Sequence, residues 1–552
     1  MNVLTLICNN TVLDLPEDSL NILLNRIVED LNNPEKRFND FSYTFNLPKT
    51  KVNNLVLNSI DDFYVIDKFY SVFDITVLVN SEKILEGNLK VNSITGDEYE
   101  VVLYSKLGSL SDLLEEKTLR DIEIDPISYN YEATIKAHNE AGYDNSQTDY
   151  QFPLIFYKTF SVESGYTLTP EQNQYGTYSN IYNSYVDSGN TEVVNFTPYF
   201  YFPPSFYVVN LLKKILSGIG WKLKGSWAED AEINKLILPY AGSADVWERA
   251  DQYGTLYLHE FLPDNVKQID FIKGLISMFN LQVLGKQNTL YLERYDSYIL
   301  PSEYSYNITS KVYADSVIEK RLEDNQRNIA VNFKETADSS STQALKFNSQ
   351  NSGYKVTLPF SGTIYNPVFW YNKRSLTGAE TSANNRPFSI PYITEQERVS
   401  EETHYYDEIP VAENMSYGSG LRILHYEGLP TIPDSENWYY LNMGESVGKV
   451  KMTFTSNYQE NSTRTSSTGN TINLSYNSAD ENNLYNKFYR SKYFNNDRGH
   501  LLEFDMNMSE KDWIECQPNI PLRYKGVDWR LVEIRAYDPV ENIASLIVKR
   551  IR

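Results

Sequence analysis

Phe73-Asp74-Ile75-Thr76-Val77-Leu78-Val79 alternates apolar and polar residues over the length of a strand, pauses at Asn80-Ser81-Glu82-Lys83, and returns through Ile84-Leu85-Glu86-Gly87-Asn88-Leu89-Lys90-Val91. A period of two turns one face of each run toward a core, and the short polar interval between them reads as a hairpin turn. Upstream, Phe41-Ser42-Tyr43-Thr44-Phe45-Asn46-Leu47 alternates as cleanly and stops at Pro48, which has no N–H to give to a ladder. Downstream, Tyr99 to Tyr104 follows the turn formers Thr95-Gly96-Asp97 as another strand. Leu20 to Val28 fits a helix through Leu20, Leu23, Leu24 and Ile27, or a strand through Leu20, Ile22 and Leu24, and is read here as a strand. Residues 1–125 are therefore expected to form an N-terminal, barrel-like β domain.

Beyond this domain the period changes. Residues 126–205 dissolve into Tyr, Asn, Ser and Gly, as in Tyr175-Gly176-Thr177-Tyr178-Ser179-Asn180, and read as an insertion or arm. Two helices follow, because Val208, Leu211, Leu212, Ile215, Leu216 and Ile219 make one apolar stripe ending at Gly220, and Ile272, Leu275, Ile276 and Phe279 make another. With the hairpin Gln282–Glu293 they define an α+β domain at 206–335. Residues 336–485 read as β-rich with flexible polar loops at Thr336–Asn351 and Asn461–Asn470. Residues 486–552 return to strands, Leu501–Met506 and then Trp529–Tyr537 and Ile543–Ile551 around the turn Asp538-Pro539-Val540-Glu541-Asn542, and are expected to close a β domain. The fold class is mainly β with α+β parts: several small β-barrel or β-sandwich domains, a two-helix α+β unit and long polar insertions. Roughly three to four domains also suit the chain's 552 residues.

Composition excludes several roles. Lys and Arg number 50 against 73 Asp and Glu, giving a formal charge of −23, the wrong sign for wrapping nucleic acid or lying on an anionic membrane. No apolar run is long enough to span a bilayer, and the opening residues lack the basic start of a signal peptide. Cys8 and Cys516 are the only two cysteines, too few for a disulfide framework or a cysteine zinc cluster. The 44 Tyr, with 25 Phe and 7 Trp, suit either aromatic strands or extensive contact between subunits.

Motifs that carry chemistry are missing. The five His show no i, i+4 pair for zinc, and His404-Tyr405-Tyr406-Asp407-Glu408 is a weak metal pattern in so acidic a chain. There is no G-x-S-x-G elbow, phosphate loop or dinucleotide fingerprint. Glu260, Asp264 and Asp270 read as helix-start charges, and Trp221 and Trp227 as core or interface rather than sugar-stacking platforms. No catalytic residue, cofactor or metal site is expected. From Arg523 to Arg552 bases outnumber acids seven to four, which fits a solvated strand face or docking against an acidic neighbouring surface.

Three segments resemble a known family. Asn33-Pro34-Glu35-Lys36-Arg37-Phe38-Asn39-Asp40-Phe41 through Thr50 resembles an N-terminal signature of tail proteins from phages and prophages of Bacteroidetes, including crAss-like podoviruses. Asn265–Leu281 is similar to a helix of the same proteins, and Val527-Asp528-Trp529-Arg530-Leu531 through Tyr537-Asp538-Pro539 to their C-terminal hairpin. The resemblance implies a baseplate-hub-like structural protein of the virion, built from small β-barrel domains and assembled in the host cytoplasm. Its implied partners are copies of itself in a closed ring, other tail proteins such as tube rings, fibres and tip, and viral DNA in unspecific passage. The leading expectation is a non-enzymatic tail hub or tail-tube ring on the DNA-ejection path. The alternatives are a peripheral adaptor or receptor-binding component contacting fibres or host glycan, and a tail-associated depolymerase or cell-wall hydrolase. Expected assembly contacts are Lys36, Arg37, Tyr43, Trp529, Arg530 and Tyr537, with Lys36 and Arg37 chosen because unpaired charge is rarely buried and Trp529 also suited to the core.

Overall fold

The computed structural model describes residues 3–16, 22–29, 37–66, 69, 71–107, 110–128, 204–240, 255–286, 288–322, 482–492 and 499–551, with short segments between 146 and 193 and between 329 and 474. The chain is mainly β, in several separate sheets with few helices. Most of the insertion expected at 126–205 and of the loops at 336–351 and 461–470 lies outside the described residues.

Among the described residues the largest sheet has 14 strands and begins with β1 (Leu4–Cys8), β2 (Thr11–Val12), β3 (Leu24–Glu29), β4 (Arg37–Ser42), β5 (Phe45–Pro48), β6 (Val72–Val79), β7 (Glu82–Ile94) and β8 (Glu98–Ser105). The β6–β7 hairpin closes with Val79 opposite Glu82. Asn80 and Ser81 take φ of 49° and 70°, the left-handed pair that matches the right-handed twist of the flanking strands. Phe73, Ile75, Val77 and Val79 are buried, so the alternation at the sequence level is the alternation of the core face. At Gly87 the backbone carbonyl of Tyr104 on β8 lies where a Cβ would stand, so only glycine fits.

Strands from the segments 1–125 and 486–552 meet in this sheet. β3 pairs antiparallel with the strand Val527–Asp538, Leu24 opposite Tyr537 and Ile27 opposite Glu533. That strand pairs with Ile543–Arg550, which pairs with His500–Asn507. Leu24, Val77, Leu103, Trp513, Leu531 and Leu546 share one core, so the two ends of the chain build a single body. The strands Tyr306–Asn307 and Ile318–Arg321 also join this sheet, although they were expected in the α+β domain.

A second core gathers Leu110, Leu114, Leu119 and Ile122 with the two helices, Val208–Ser217 and Gln268–Met278. Residues 110–124, expected in the N-terminal domain, therefore belong to the middle unit: Gln268 donates from Nε2 to the Thr118 carbonyl at 2.8 Å. The expected hairpin forms from Gln282–Lys286 and Thr289–Glu293, Gln282 opposite Glu293, with Asn288 left-handed at φ 54°. Trp221 and Trp227 are buried in this core, the latter 5.3 Å from the Phe279 ring, so neither is presented to a sugar.

Candidate assembly surface

Between β5 and β6 the chain leaves the sheet for an excursion whose backbone is pinned from below. Thr50 caps the short helix α1 (Lys51–Val56) by accepting from the Asn53 N–H at 3.1 Å. The fully buried Asn53 amide accepts from the Asp14 N–H and donates to the carbonyls of Asp14 and Pro48, each at 2.9 Å. Tyr99 Oη donates to Asn54 Oδ1, and its own ionisation is pushed up to about 12 by burial and the nearby Asp61. Leu57 and Ile60 drop into the core below, and Asn58 and Ser59 supply the left-handed backbone between them. Asp62 Oδ1 then accepts from the Tyr64 N–H at 3.0 Å.

On this anchored base the large side chains point away from the core. Leu55 is 77 % exposed, Phe63 89 %, Tyr64 87 % and Ile66 90 %, and the Phe63 and Tyr64 rings meet edge to face at 6.3 Å. Single exposed apolar residues are ordinary, but four in one pinned excursion are the candidate contact surface of this chain. Because the backbone is held by Asn53 and by the buried Leu57 and Ile60, little ordering entropy remains to be lost on binding. The sequence reading missed this outcrop: Phe63-Tyr64-Val65-Ile66 has the composition of a core strand, and nothing local says that it faces outward.

The residues expected to make assembly contacts are spread across the sheet. Lys36 lies outside the described residues, and Arg37 opens β4 opposite Glu29. Tyr43 is 51 % exposed where the chain kinks between β4, which pairs with β3, and β5, which pairs with β8. Trp529, Arg530 and Tyr537 are buried within the chain, the core position that Trp529 also suited. Trp529 packs its indole 5.1 Å from the His500 ring, and Tyr537 stacks on Trp513 at 4.9 Å with planes 14° apart. Tyr537 is buried, and that burial pushes its phenol upward.

Arg530 escapes the rule that buried charge is rare by finding partners from the middle unit. It donates to Gln282 Oε1 at 2.6 Å, and its guanidinium carbon sits 4.4 Å from the Tyr295 ring centroid and 5.5 Å from that of Tyr298. Glu29 pairs with Lys492 at 2.6 Å in the same junction. Burial alone would raise the Glu29 carboxyl, but Lys492, Lys549 and Arg530 outweigh it and hold the group well below the carboxylate range. This cluster joins the terminal sheet to the middle unit.

Among the described residues no three His, Cys, Asp or Glu side chains converge as a metal site, and no helix is long and apolar enough to cross a membrane. The carboxylate of Asp512 is engaged by Lys311, Tyr306 and the Ser509 capping box, a structural tie at the start of the helix Glu510–Glu515.

No protein-family model matches the chain, and no curated protein matches it. Among solved structures it is similar to the 43 kDa tail protein of prophage MuSo2 from Shewanella oneidensis, with 7 % identity over 99 % of this chain and 96 % of that one and a TM-score of 0.34. A tail protein from Neisseria meningitidis MC58 gives 9 % identity, 100 % and 96 % coverage and a TM-score of 0.35. A chain of a PdpA–VgrG complex gives 8 % identity, 99 % and 64 % coverage and a TM-score of 0.25.

Proposed function

We propose that the chain is a non-enzymatic structural subunit of a bacteriophage tail, the hub or a tube ring near the distal end, in which copies of the chain close a ring around the path of ejected DNA. The observation that carries this reading is the pinned apolar outcrop of Leu55, Phe63, Tyr64 and Ile66, a surface built for permanent cover by protein. The three sequence segments that resemble tail proteins of Bacteroidetes phages give that cover its setting. A formal charge of −23 suits a conduit, since acidic walls repel passing phosphates and do not retain them.

Antibody against the chain, applied to particles of a phage that encodes it, is expected to mark the distal end of the tail in electron micrographs. The purified chain is expected to turn over neither host polysaccharide nor cell wall. Unlabelled tails, or steady glycan cleavage by the chain, would contradict the reading.

A further inference from the structure

We infer that the face bearing Lys222, Lys224 and Lys286 of one copy docks on a carboxylate-rich surface of a second copy of this chain. The inference rests on the tail-subunit reading and specifies the face through which one copy holds the next. Acids outnumber bases 73 to 50 over the whole chain, yet residues 210–228 hold Lys213, Lys214, Lys222 and Lys224, residues 281–292 hold Lys286, and neither segment contains an Asp or Glu. Lysine on an edge strand also discourages stray strand pairing, but that task does not require acids to be absent from the helix and strands around it.

The fold brings the two segments together. Among the described residues they share a three-stranded sheet in the order Lys222–Lys224, Thr289–Glu293, Gln282–Lys286. Leu223 packs on the core of the middle unit, so the exposed Lys222 and Lys224 face the other way. Lys222 stands opposite Thr289 and Thr289 opposite Lys286, which puts both lysines in one row about 10 Å apart, with Lys224 about 7 Å further along its strand opposite Tyr291. Charges at the border are already engaged: Asp149 holds Lys214 at 3.1 Å, Glu293 accepts from the Ser226 N–H and hydroxyl, and Asp230 lies 3.5 Å from Arg294. Lys222, Lys224 and Lys286 have no ion pair among the described residues, and the exposed Glu229 beside them leaves the face positive.

Copies that each carry −23 repel one another unless a face of opposite sign intervenes, and this face supplies it. All 73 acids lie outside the two segments, so a second copy presents carboxylates in excess. Duplex DNA is the poorer occupant, because three lysines neutralise too few phosphates to overcome the charge of the chain. Contact between unlike faces of identical copies is head-to-tail, and such contacts close into rings when the rotation permits.

Zero-length cross-linking tests this without assuming which carboxylates are met. Full-length chains, one of natural isotope content and one heavy-labelled, are mixed, concentrated and treated with a carbodiimide, which joins a lysine amine to a carboxylate in contact with loss of water. Peptides of Lys222, Lys224 or Lys286 joined to acidic peptides of the opposite label are expected. A chain carrying Lys222→Glu, Lys224→Glu and Lys286→Glu should self-associate roughly tenfold or more weakly than the parent, whereas the same three lysines changed to Arg should leave association close to the parent's. Circular dichroism melts matching the parent chain show that each variant is folded. Assemblies in which these lysines join no other copy, or which ignore the three Glu substitutions, would overturn this inference while leaving the tail-subunit reading intact. Binding of a short duplex DNA by the parent but not by the Glu variant would make nucleic acid the occupant and overturn it as well. A chain monomeric at every concentration would overturn it too, whereas the reading of a tail subunit stands or falls on labelling of the particles.

Discussion

Arg26 and Trp513, 487 residues apart, are joined twice: the Arg26 Nη1 donates to the Trp513 carbonyl at 2.9 Å, and the guanidinium carbon lies 4.2 Å from the indole centroid. The same guanidinium donates from Nε and Nη2 to both carboxylate oxygens of Asp40, each at 2.9 Å, and from Nη1 to the Cys516 carbonyl. One side chain thus satisfies a carboxylate on β4, two carbonyls at the end of a C-terminal helix and an aromatic face. It is the tie through which the two ends of the chain become one body.

Replacing Arg26 by Met should leave Asp40 buried without its cation and destabilise the fold by about 3–5 kcal/mol. Urea unfolding followed by tryptophan fluorescence measures the loss. Arg26→Lys should also destabilise, because an ammonium cannot reproduce the two-pronged bond to Asp40. A loss near zero for Arg26→Met would mean that the tie is dispensable.

Glu29 predicts the acid limb of stability. Its folded-state ionisation lies below that of an unfolded glutamate, ~4.3. Its contribution is therefore fully present above that pH and lost as pH falls through the lower, folded value. Glu29→Gln should be less stable than the parent at neutral pH, with Lys492, Lys549 and Arg530 left uncompensated, and should lose less stability on acidification. Parallel acid-limb slopes for the two proteins would exclude this role.

Cys8 and Cys516 should be chemically silent in the native protein. Burial pushes both thiols up to about 12, so almost no thiolate exists at neutral pH. Ellman's reagent should find no reactive thiol in the folded chain and both thiols after unfolding in urea. Prompt reaction of either in the native state would show that the shared core opens.

Gly274 sits in the helix Gln268–Met278 against the strand Tyr354–Ser361, where an added Cβ would strike the Pro359 ring and come 3.0 Å from the Phe360 ring. Alanine normally favours a helix, but Gly274→Ala should here cost about 1–3 kcal/mol. Thermal unfolding of the variant decides the sign, and a stabilised variant would mean that the strand does not press on this helix.

The strands around Phe73–Val91 were legible because each alternates and each turn carries residues that tolerate left-handed backbone, as Asn80 and Ser81 do. The helices at Val208 and Gln268 were legible from their apolar stripes. What local pattern cannot convey is which strand lies beside which: the alternation of Leu20, Ile22 and Leu24 says that one face is buried, not that Tyr537 lies opposite Leu24. Arg530 was expected among the assembly contacts of the C-terminal hairpin, whereas its burial depends on the distant Gln282, Tyr295 and Tyr298. The outcrop was hidden for the opposite reason. Phe63 and Ile66 look like core, and their exposure follows from where Asn53, Leu57 and Ile60 anchor the excursion.

The claim that copies of this chain close a ring is tested most directly by the mass of the purified protein in solution, measured by light scattering, with negative-stain images of the same sample. The account predicts a closed multi-copy ring with a central hole. A stable monomer across the whole accessible concentration range would contradict it.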